Sequence, residues 1–424
     1  MAKTMTVCSG VSSPSPSPPT RRLFQALQHR DFRLLWSGLV ISAVGTWMQI
    51  VSQSLLVLHL THNSALALGS VSLAQALSFF LFSFVGGAIA DRFDQRQILL
   101  ITQSISLLLA VFMGLLTVMG VIHVWMIVVL AFCSGMVLSF DQPTRTAMLP
   151  LLVPRNQLMN AISLQSLVFN GASVVGPALA GVTVGIIGYA GNFFLNALSY
   201  LGVLIALLLM RVPSLANTQR QTQRTSLVQS IRVALATVRR DKILPWILSG
   251  YGALLFCGPS SALILPIFAT TILQVNAVQL GLLFSGAGIG TVIGGLLLAS
   301  RGDFRHKGAL WLAGLVVWAS AFALFALSHF FLLTLLALCL VGVAQTAVGS
   351  TTILLLQTRM PPQMRGRVMS LNTLLLMGVR PLGDFPAGVL VMALGASLTV
   401  LLSAGIVGSY ALYLLLQCRE LRTV

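Results

Sequence analysis

Charged residues are scarce in this sequence, and acidic residues are the scarcest of all. Only 8% of the 424 residues are charged, and Asp and Glu together number 8 against 25 Lys and Arg. Soluble domains carry about 25% charged residues. A chain that is 57% hydrophobic, with a mean hydropathy of +0.94, is therefore excluded from the ordinary soluble class and is predicted to lie in a lipid bilayer.

Metal-binding, disulfide and catalytic patterns are also missing. The five cysteines are scattered without a C-x-x-C pair or a Cys/His cluster, so we expect neither a disulfide framework nor a metal site. No G-x-x-x-x-G-K-[ST] phosphate loop occurs, so we expect that ATP is not the direct energy source. No acid–base pair or nucleophile constellation stands out among the few acidic residues. The sequence predicts no cofactor and no enzymatic activity.

The few charges divide the chain into long uncharged blocks. Five blocks contain no Lys, Arg, Asp or Glu and a sixth contains only Arg380 and Asp384; in order they are residues 34–90, 97–140, 156–210, 243–300, 308–358 and 368–418. A transmembrane helix needs about 20 apolar residues, so each block holds two helices and a short turn. Uncharged, turn-like sequences stand near the block centres, at 60–64, 120–123, 188–192, 273–277, 328–330 and 395–397. The blocks predict an all-α membrane protein of about twelve spans.

The positions of the basic residues predict the orientation of these spans. Of the 25 Lys and Arg residues, 24 lie outside the blocks, and two spans per block place all the block ends on one side. The positive-inside rule makes that side cytoplasmic, with both termini on it. Because topology accounts for the formal net charge of +17, we expect no nucleic-acid partner.

A long internal repeat divides the chain into halves. Residues 154–188 align without a gap with residues 361–395, and four of the five glycines in the first copy meet a glycine in the second. Half-chain repeats of this kind are typical of secondary transporters, which bind substrate between their halves. The expected organisation is a disordered tail (1–20), a six-helix half (21–210), a basic cytoplasmic linker (211–242) and a second six-helix half (243–424).

A local motif connects this architecture with a known family. Residues 87–96 read GAIADRFDQR, which resembles the G-x-L-x-D-R-x-G-R-[RK] loop between spans 2 and 3 of the major facilitator superfamily, with Asp94 in place of the second glycine. Further stretches resemble the branch that contains the enterobactin exporter and macrolide-efflux-type pumps; they are 29–38, 45–49, 139–150 and the segment at Asn160. The resemblance implies the superfamily fold and transport, in the direction of export.

The resemblance also implies a gate in this loop. Its members here would be Gly87, Asp91, Arg92 and Arg96. The carboxylate of Asp91 would accept hydrogen bonds from backbone N–H groups, or pair with a cytoplasmic arginine across the two halves, and so close the inner end. A tight charged turn that merely obeys the positive-inside rule is the alternative interpretation.

Small residues recur at helical spacing in two of the predicted spans. The two sets are Gly176, Pro177 and Gly181 in span 5, and Gly286, Gly290 and Gly294 in span 8. The first set is similar to the glycine–proline motif of antiporters in the superfamily. Small residues let helices approach closely, so we expect both sets between the halves, either in static packing or as faces that slide during transport.

Neutral amides inside the blocks indicate a polar interior. The candidate substrate contacts are Gln49, Gln53, Gln165, Asn170 and Asn372. Gln49 and Gln53 lie one turn apart, and the repeat maps Gln165 onto Asn372. A single amide of this kind is usually explained by hydrogen bonding between helices. Several together favour a cavity for a ligand with hydrogen-bonding groups.

Three acidic residues are candidates for proton handling or capping. Asp384 lies four residues after Arg380, hence on the same helix face, where a charge at mid-membrane costs roughly 2.5–3.5 kcal/mol. The two either neutralise each other near the inner surface or form a proton or substrate site, in which protonation of Asp384 frees Arg380 for an anionic group. Asp141, just before Pro143, is predicted to cap a short cytoplasmic helix, with a proton site as the alternative. Asp31 is expected to cap span 1.

These features favour one function and leave two alternatives open. The favoured one is a monomeric, proton-coupled exporter of a small amphiphilic molecule, such as a drug or siderophore, in a bacterial inner membrane. The second is an importer or uniporter of the same fold. The third is a transporter-like sensor or a membrane-embedded enzyme, for which no catalytic cluster is visible.

Overall fold

The protein is helical throughout the part that the structure describes. This computed structural model describes residues 24–211, 235–239, 241–301, 306–360, 364, 368–369, 371–373, 375–418 and 421, and no strand occurs among them. The predicted tail at 1–20 and most of the predicted linker at 211–242 lie outside these residues. Helices dominate because a backbone in lipid must satisfy its hydrogen bonds internally.

The helices follow one another with short connections. In the first half they are α1 (Arg30–Leu60), α2 (Ala65–Arg92), α3 (Gln95–Val118), α4 (Val124–Leu152) and the segment Leu158–Leu209, which bends at Gly188 into α5 (158–187) and α6 (189–209). In the second half they are α7 (Leu244–Leu273), α8 (Ala277–Arg301), α9 (Lys307–Leu327), α10 (Phe331–Arg359), α11 (Arg380–Leu394) and α12 (Ala396–Gln417). In the described part, ten helical segments are long and apolar enough to cross a membrane. The prediction of an all-α membrane protein is confirmed.

The helices are interrupted close to where the sequence predicts turns. Breaks occur at 61–64, 119–123, 274–276 and 328–330, and each overlaps a predicted block centre. Gly188 and Gly395, which the repeat maps onto each other, have positive φ values of 70° and 85°. Glycine adopts this conformation without the cost that a Cβ imposes, so both halves use the same residue to turn between two helices.

The two ends of the helical bundle differ in charge. We call the end with the turns at 61–64, 119–123, 274–276 and 328–330 the neutral end, because these turns contain no Lys, Arg, Asp or Glu. The opposite end is the basic end, where Arg92, Asp94 and Arg155 lie in or beside the turns.

The duplicated glycines make equivalent helix crossings inside each half. A Cβ on Gly176 of α5 would collide with Trp47 of α1, so the prediction that Gly176 packs between the halves is wrong. The repeat maps Gly176 onto Gly383 of α11, where a Cβ would collide with the backbone of Phe256 in α7. A missing side chain therefore lets α5 approach α1, and α11 approach α7, in the same manner.

A second pair of duplicated glycines lies where the halves meet. A Cβ on Gly181 of α5 would collide with Ala277 at the start of α8. Its repeat counterpart Gly388 lies in α11, where a Cβ would come within 2.8 Å of the carbonyl oxygen of Ala65 at the start of α2. The halves thus meet in two equivalent crossings, α5 with α8 and α11 with α2, both at the neutral end.

Each crossing also has a glycine on the facing helix. Gly281 of α8 packs on the backbone of Pro177 in α5. Gly69 of α2 packs on α11, where a Cβ would lie 3.1 Å from the carbonyl oxygen of Asp384. The repeat maps Pro177 onto Asp384. The crossing of α11 with α2 therefore carries a carboxylate at the position where the crossing of α5 with α8 carries a proline.

The halves separate toward the basic end. On one face of α5, Gly181, Pro177 and Val174 contact α8, and the carbonyl of Val174 accepts a hydrogen bond from that helix. The same face continues toward the basic end with Leu167 and Ser163, and both are exposed. Along this face of α5, the described contacts with the other half therefore lie at the neutral end and in the middle of the helix.

The glycine stripe of α8 corrects one prediction. Gly286, Gly290 and Gly294 do not face the other half; they pack on Leu335, Cys339 and Val343 of α10 within the second half. The face of α8 that meets α5 carries Gly281 and Gly288 instead. Four-residue spacing shows that a face is smooth, but it does not show which neighbour that face meets.

Side chains at the basic end tie the helices of the first half together. The guanidinium of Arg96 donates to the carbonyls of Leu207 and Leu208 at 2.8 and 2.9 Å, which satisfies groups at the end of α6. Asp31 lies within the first turn of α1 rather than at its cap, so the capping prediction is wrong. Its carboxylate instead accepts from the backbone N–H of Arg211 at 3.4 Å.

An equivalent tie exists in the second half. Asp241, two residues before the N-cap Ile243 of α7, accepts from the N–H groups of Ile243 at 2.8 Å and Leu244 at 3.0 Å, and it pairs with Arg359 at the end of α10 at 3.3 Å. Burial opposes ionisation of this carboxyl, but the two N–H groups and Arg359 outweigh it and hold the pKa of Asp241 below its usual range.

Two adjacent glycines in α2 give a matched test of this packing. A Cβ on Gly86 would collide with the carbonyl oxygen of Ser139 in α4, whereas nothing lies within 4 Å of a Cβ on Gly87. We expect Gly86→Ala to lower the stability by about 1–3 kcal/mol, because α4 must shift. Gly87→Ala is not expected to lower it, because its methyl group meets no neighbouring atom and alanine favours the helix. Thermal unfolding in detergent would measure both, and equal melting temperatures would contradict the packing described here.

Candidate functional site

A polar cavity lies among the helices of the first half. Its volume is about 130 Å³, and it is bounded by α1, α2, α3, α4 and α6, with Ala262 of α7 on the side of the second half. The polar residues that line it are Thr46, Gln49, Gln53, Ser54, Ser72, Gln75, Ser106, Ser134 and Tyr200. The described lining contains no Asp, Glu, Lys, Arg or His. Convergent polar groups inside an apolar bundle form the kind of pocket that binds small molecules.

The predicted amides separate into two groups. Gln49 and Gln53 both line the cavity, and Gln49 accepts a hydrogen bond of 2.6 Å from Asn196, which fixes its carbonyl oxygen. Gln165 and Asn170 lie on α5, outside the cavity lining. Asn372 is also outside it and is 5% exposed, with a side-chain oxygen that accepts no hydrogen bond among the described residues.

Asp384 lies at the junction of three helices. It is 2% exposed, and its carboxylate accepts a 2.7 Å hydrogen bond from the backbone N–H of Ser260. The hydroxyls of Ser260 and of Ser72, which belongs to the other half, also interact with the carboxylate. Ser72 lines the cavity as well. The carboxylate therefore links α11 to the break in α7 and to α2 across the halves.

The break in α7 creates the donor that Asp384 uses. Helical structure ends at Cys257 and resumes at Ser261, with Pro259 in the gap. Ser260 caps the second segment, and its hydroxyl accepts from the N–H of Leu263 at 3.3 Å. Because Ser260 stands before the helix, its own N–H has no intrahelical acceptor and is available to Asp384.

Arg380 and Asp384 do not form the direct ion pair that their spacing allows. Both residues are described, yet no ion pair joins them. Arg380 is partly exposed, and its guanidinium interacts electrostatically with the hydroxyl of Tyr251 in α7. Arg380 also interacts electrostatically with Asp384 from beyond ion-pair distance, so the structure excludes a direct ion pair but not partial neutralisation of the two charges.

Asp141 corrects another prediction. It does not cap a short helix; it lies inside α4, which continues through Pro143 to Leu152. It is 4% exposed, forms an ion pair with Arg145 and accepts hydrogen bonds from Thr102 at 3.1 Å and Gln103 at 2.7 Å. All these partners belong to the first half, so Asp141 holds α3 against α4 and does not connect the halves.

The motif residues at the end of α2 are located but only partly explained. The side chain of Asp91 lies outside the described residues, so its predicted gating contact stays a prediction. Arg92 is exposed, and Gly87 has open space around it. Arg96 caps the end of α6, as described above. The variant position Asp94 caps α3, accepting from the N–H groups of Arg96 and Gln97.

Sequence reasoning missed the hydroxyl groups of the site. Ser72, Ser106, Ser134 and Tyr200 line the cavity, and Ser260 binds the carboxylate of Asp384. Serine is common in membrane helices, where its hydroxyl bonds to its own backbone, so no single serine gives a signal. Of these residues, only Ser260 could have been found from the sequence, because it follows Gly258 and Pro259 and this pattern predicts a helix break followed by a helix cap.

Comparison with known proteins relates this geometry to transport. The chain is similar to macrolide efflux protein A of Streptococcus pyogenes, with 22% identity over 385 residues, which cover 89% of this chain and 93% of the relative. It is 27% identical over 402 residues to the enterobactin exporter EntS of Salmonella typhi, covering 93% of this chain and 94% of the relative.

Solved structures share the fold. A bacterial homologue of the human lysosomal transporter Spinster, in an inward-facing conformation, matches with a TM-score of 0.70 at 14% identity, over 91% of this chain and 95% of the other. A D-xylose–proton symporter matches with a TM-score of 0.68 at 14% identity, over 94% and 98%. At these identities the likeness shows the fold alone.

The sequence match agrees with the fold along nearly the whole chain. The model of the transmembrane secretion effector family matches residues 22–423, so it spans both copies of the repeat and every helix described above. The relatives and the structural neighbours are transporters and not enzymes. The chain belongs to the transmembrane secretion effector family of the major facilitator superfamily.

Proposed function

We propose that this protein is a proton-coupled exporter of a small amphiphilic molecule, working by alternating access. The observation that carries the proposal is the position of Asp384, a buried carboxylate at the crossing of the two halves and beside the polar cavity. A titratable group whose partners change when the halves separate can couple proton binding to that motion. The efflux relatives supply the direction of transport.

The proposal includes a topology of two six-helix halves. Twelve spans result when Leu158–Leu209 is counted as two helices at Gly188 and α11 is added to the other nine candidate spans. Both termini and the linker at 211–242 are then cytoplasmic, and the basic end faces the cytoplasm. The arrangement described above is inward-open in this orientation. We place the protein in the bacterial inner membrane, as a monomer.

Cysteine labelling tests this orientation. In a background without the five native cysteines, we expect Asn63→Cys and His329→Cys at the neutral end to react with an impermeant maleimide in intact cells. Asn156→Cys at the basic end is expected to react only after the membrane is opened. All three positions are exposed, so access to the side of the membrane decides the result. Labelling of Asn156→Cys in intact cells would reverse the orientation.

The lining of the cavity bears on the class of substrate. Amides and hydroxyls dominate its polar part, and no charged side chain is present among the described lining residues. Such a surface favours a molecule with neutral hydrogen-bonding groups and apolar parts. Macrolides and enterobactin are the first probes to test because they are the compounds in the names of the relatives.

Inside-out membrane vesicles test export and coupling together. With an imposed gradient, acidic inside, we expect vesicles containing the protein to accumulate radiolabelled macrolide or enterobactin several-fold above control vesicles. Nigericin, which collapses the pH gradient, is expected to abolish the accumulation. Accumulation that resists nigericin would exclude proton coupling, and accumulation only in right-side-out vesicles would support the alternative of an importer.

A further inference from the structure

Helix register places Arg380 at the same height along the helix axes as the cavity, although it does not line it. Gly388 of α11 meets Ala65 of α2. Asp384, four residues before Gly388, meets Gly69, which is four residues after Ala65. One further helical turn, about 6 Å toward the basic end, brings Arg380 level with residues 73–74 of α2. The neighbouring residue Gln75 is exposed and lines the cavity.

The surroundings of Arg380 leave its guanidinium without a direct ion-pair partner. No carboxylate lies within 4.0 Å of it among the described residues; Asp384 interacts with it electrostatically from a longer distance, and that carboxylate accepts its hydrogen bond from Ser260. The polar neighbour on α7 is the hydroxyl of Tyr251, which is neutral when protonated. A charged residue within a membrane span is expensive, so one that makes no direct ion pair is a candidate for a function.

The repeat shows that the fold does not need this arginine. Its counterpart in the first half is Ser173, at the equivalent position of α5. There the backbone of Ser173 packs on Gly288 of α8, with no charge involved. The equivalent crossing therefore forms without a cation, and a purely structural role does not explain why α11 carries one.

We propose that Arg380 binds an anionic group of the substrate, such as a carboxylate or phosphate, while the uncharged cavity holds the rest of the molecule. The guanidinium presents a planar fork of donors that suits such groups. Because the halves separate toward the basic end, an anion reaches this position from that side. This inference rests on the proposed function and adds the charge of the substrate to it.

Binding of three small aromatic probes tests the charge preference without knowledge of the natural substrate. Saturation-transfer NMR on the purified protein would compare benzoate, benzamide and benzamidinium, which share a shape but are anionic, neutral and cationic. We expect benzoate to bind at least fivefold more tightly than benzamide. Arg380→Gln is expected to remove this preference, and Arg380→Lys to keep part of it.

Arg155→Gln is the matched control, because Arg155 is an exposed arginine at the basic end outside the site. It should bind the three probes as the unaltered protein does, and equal melting temperatures would show that the variants are folded. Absence of a benzoate preference in the unaltered protein, or its persistence in Arg380→Gln, would overturn the proposal. Binding is measured without a gradient, so this result is independent of whether export or proton coupling is found in vesicles.

Discussion

Cross-linking Ser64→Cys to Met392→Cys is expected to reduce transport more than tenfold, and reduction of the disulfide is expected to restore it. The hydroxyl of Ser64, before α2, lies 4.0 Å from the sulfur of Met392 in α11, across the two halves at the neutral end. A bond there would hold closed the end that must open to release substrate outside. Transport in vesicles, with and without dithiothreitol, measures the effect.

The control is a cross-link at the same end but inside one half. Ser328 and Thr334 belong to the second half, and their hydroxyl oxygens are 2.9 Å apart. The disulfide between Ser328→Cys and Thr334→Cys should leave transport intact, because no motion between halves passes through it. If the Ser64–Met392 cross-link forms and transport continues, the neutral end does not open during the cycle and the proposed mechanism fails.

The architecture could be predicted from the sequence because lipid imposes it on composition. The uncharged blocks and their central turns match the helices and breaks, since a charge inside a span is costly. The shared positive φ of Gly188 and Gly395 shows why the repeat was visible: a turn that needs glycine fixes the residue type in both halves. Packing glycines such as Gly176 and Gly383 are fixed by close approach in the same way.

The partners of each residue could not be predicted, because they depend on tertiary contacts. The stripe Gly286, Gly290 and Gly294 has the spacing of an interface, yet α10 of the same half covers it. Pro143 suggested a helix start at Asp141, but a proline inside a membrane helix is tolerated where neighbouring groups satisfy the backbone. The spacing of Arg380 and Asp384 permitted an ion pair, but the N–H of Ser260, 124 residues away, holds the carboxylate instead.

Asp384→Asn is expected to reduce proton-driven transport more than tenfold while the protein stays folded. Asparagine has nearly the same shape, and its side-chain oxygen can accept the hydrogen bond from Ser260. It cannot carry a proton through the cycle. Asp141→Asn is the comparison, since that carboxylate is also buried but all its described partners lie in the first half. We expect it to lower stability and to leave the pH dependence of transport unchanged.

A conformational measurement makes the prediction for Asp384 independent of the substrate. Ionised, its carboxylate interacts with the hydroxyl of Ser72 across the halves, while its bond to Ser260 stays within the second half; hydrogen bonds to an ionised acceptor are roughly twice as strong as neutral ones. Protonation weakens this link between the halves. The rate of cross-linking between Ser64→Cys and Met392→Cys should therefore fall about threefold or more from pH 8 to pH 5. The cross-linking rate of the Ser328→Cys and Thr334→Cys pair, measured at the same pH values, corrects for thiol ionisation. Asp384→Asn should make the corrected rate independent of pH. If the pH dependence is unchanged in that variant, Asp384 has no part in the coupling mechanism and other groups cause the effect. His59 and His62, the histidines at the neutral end, would then be replaced next.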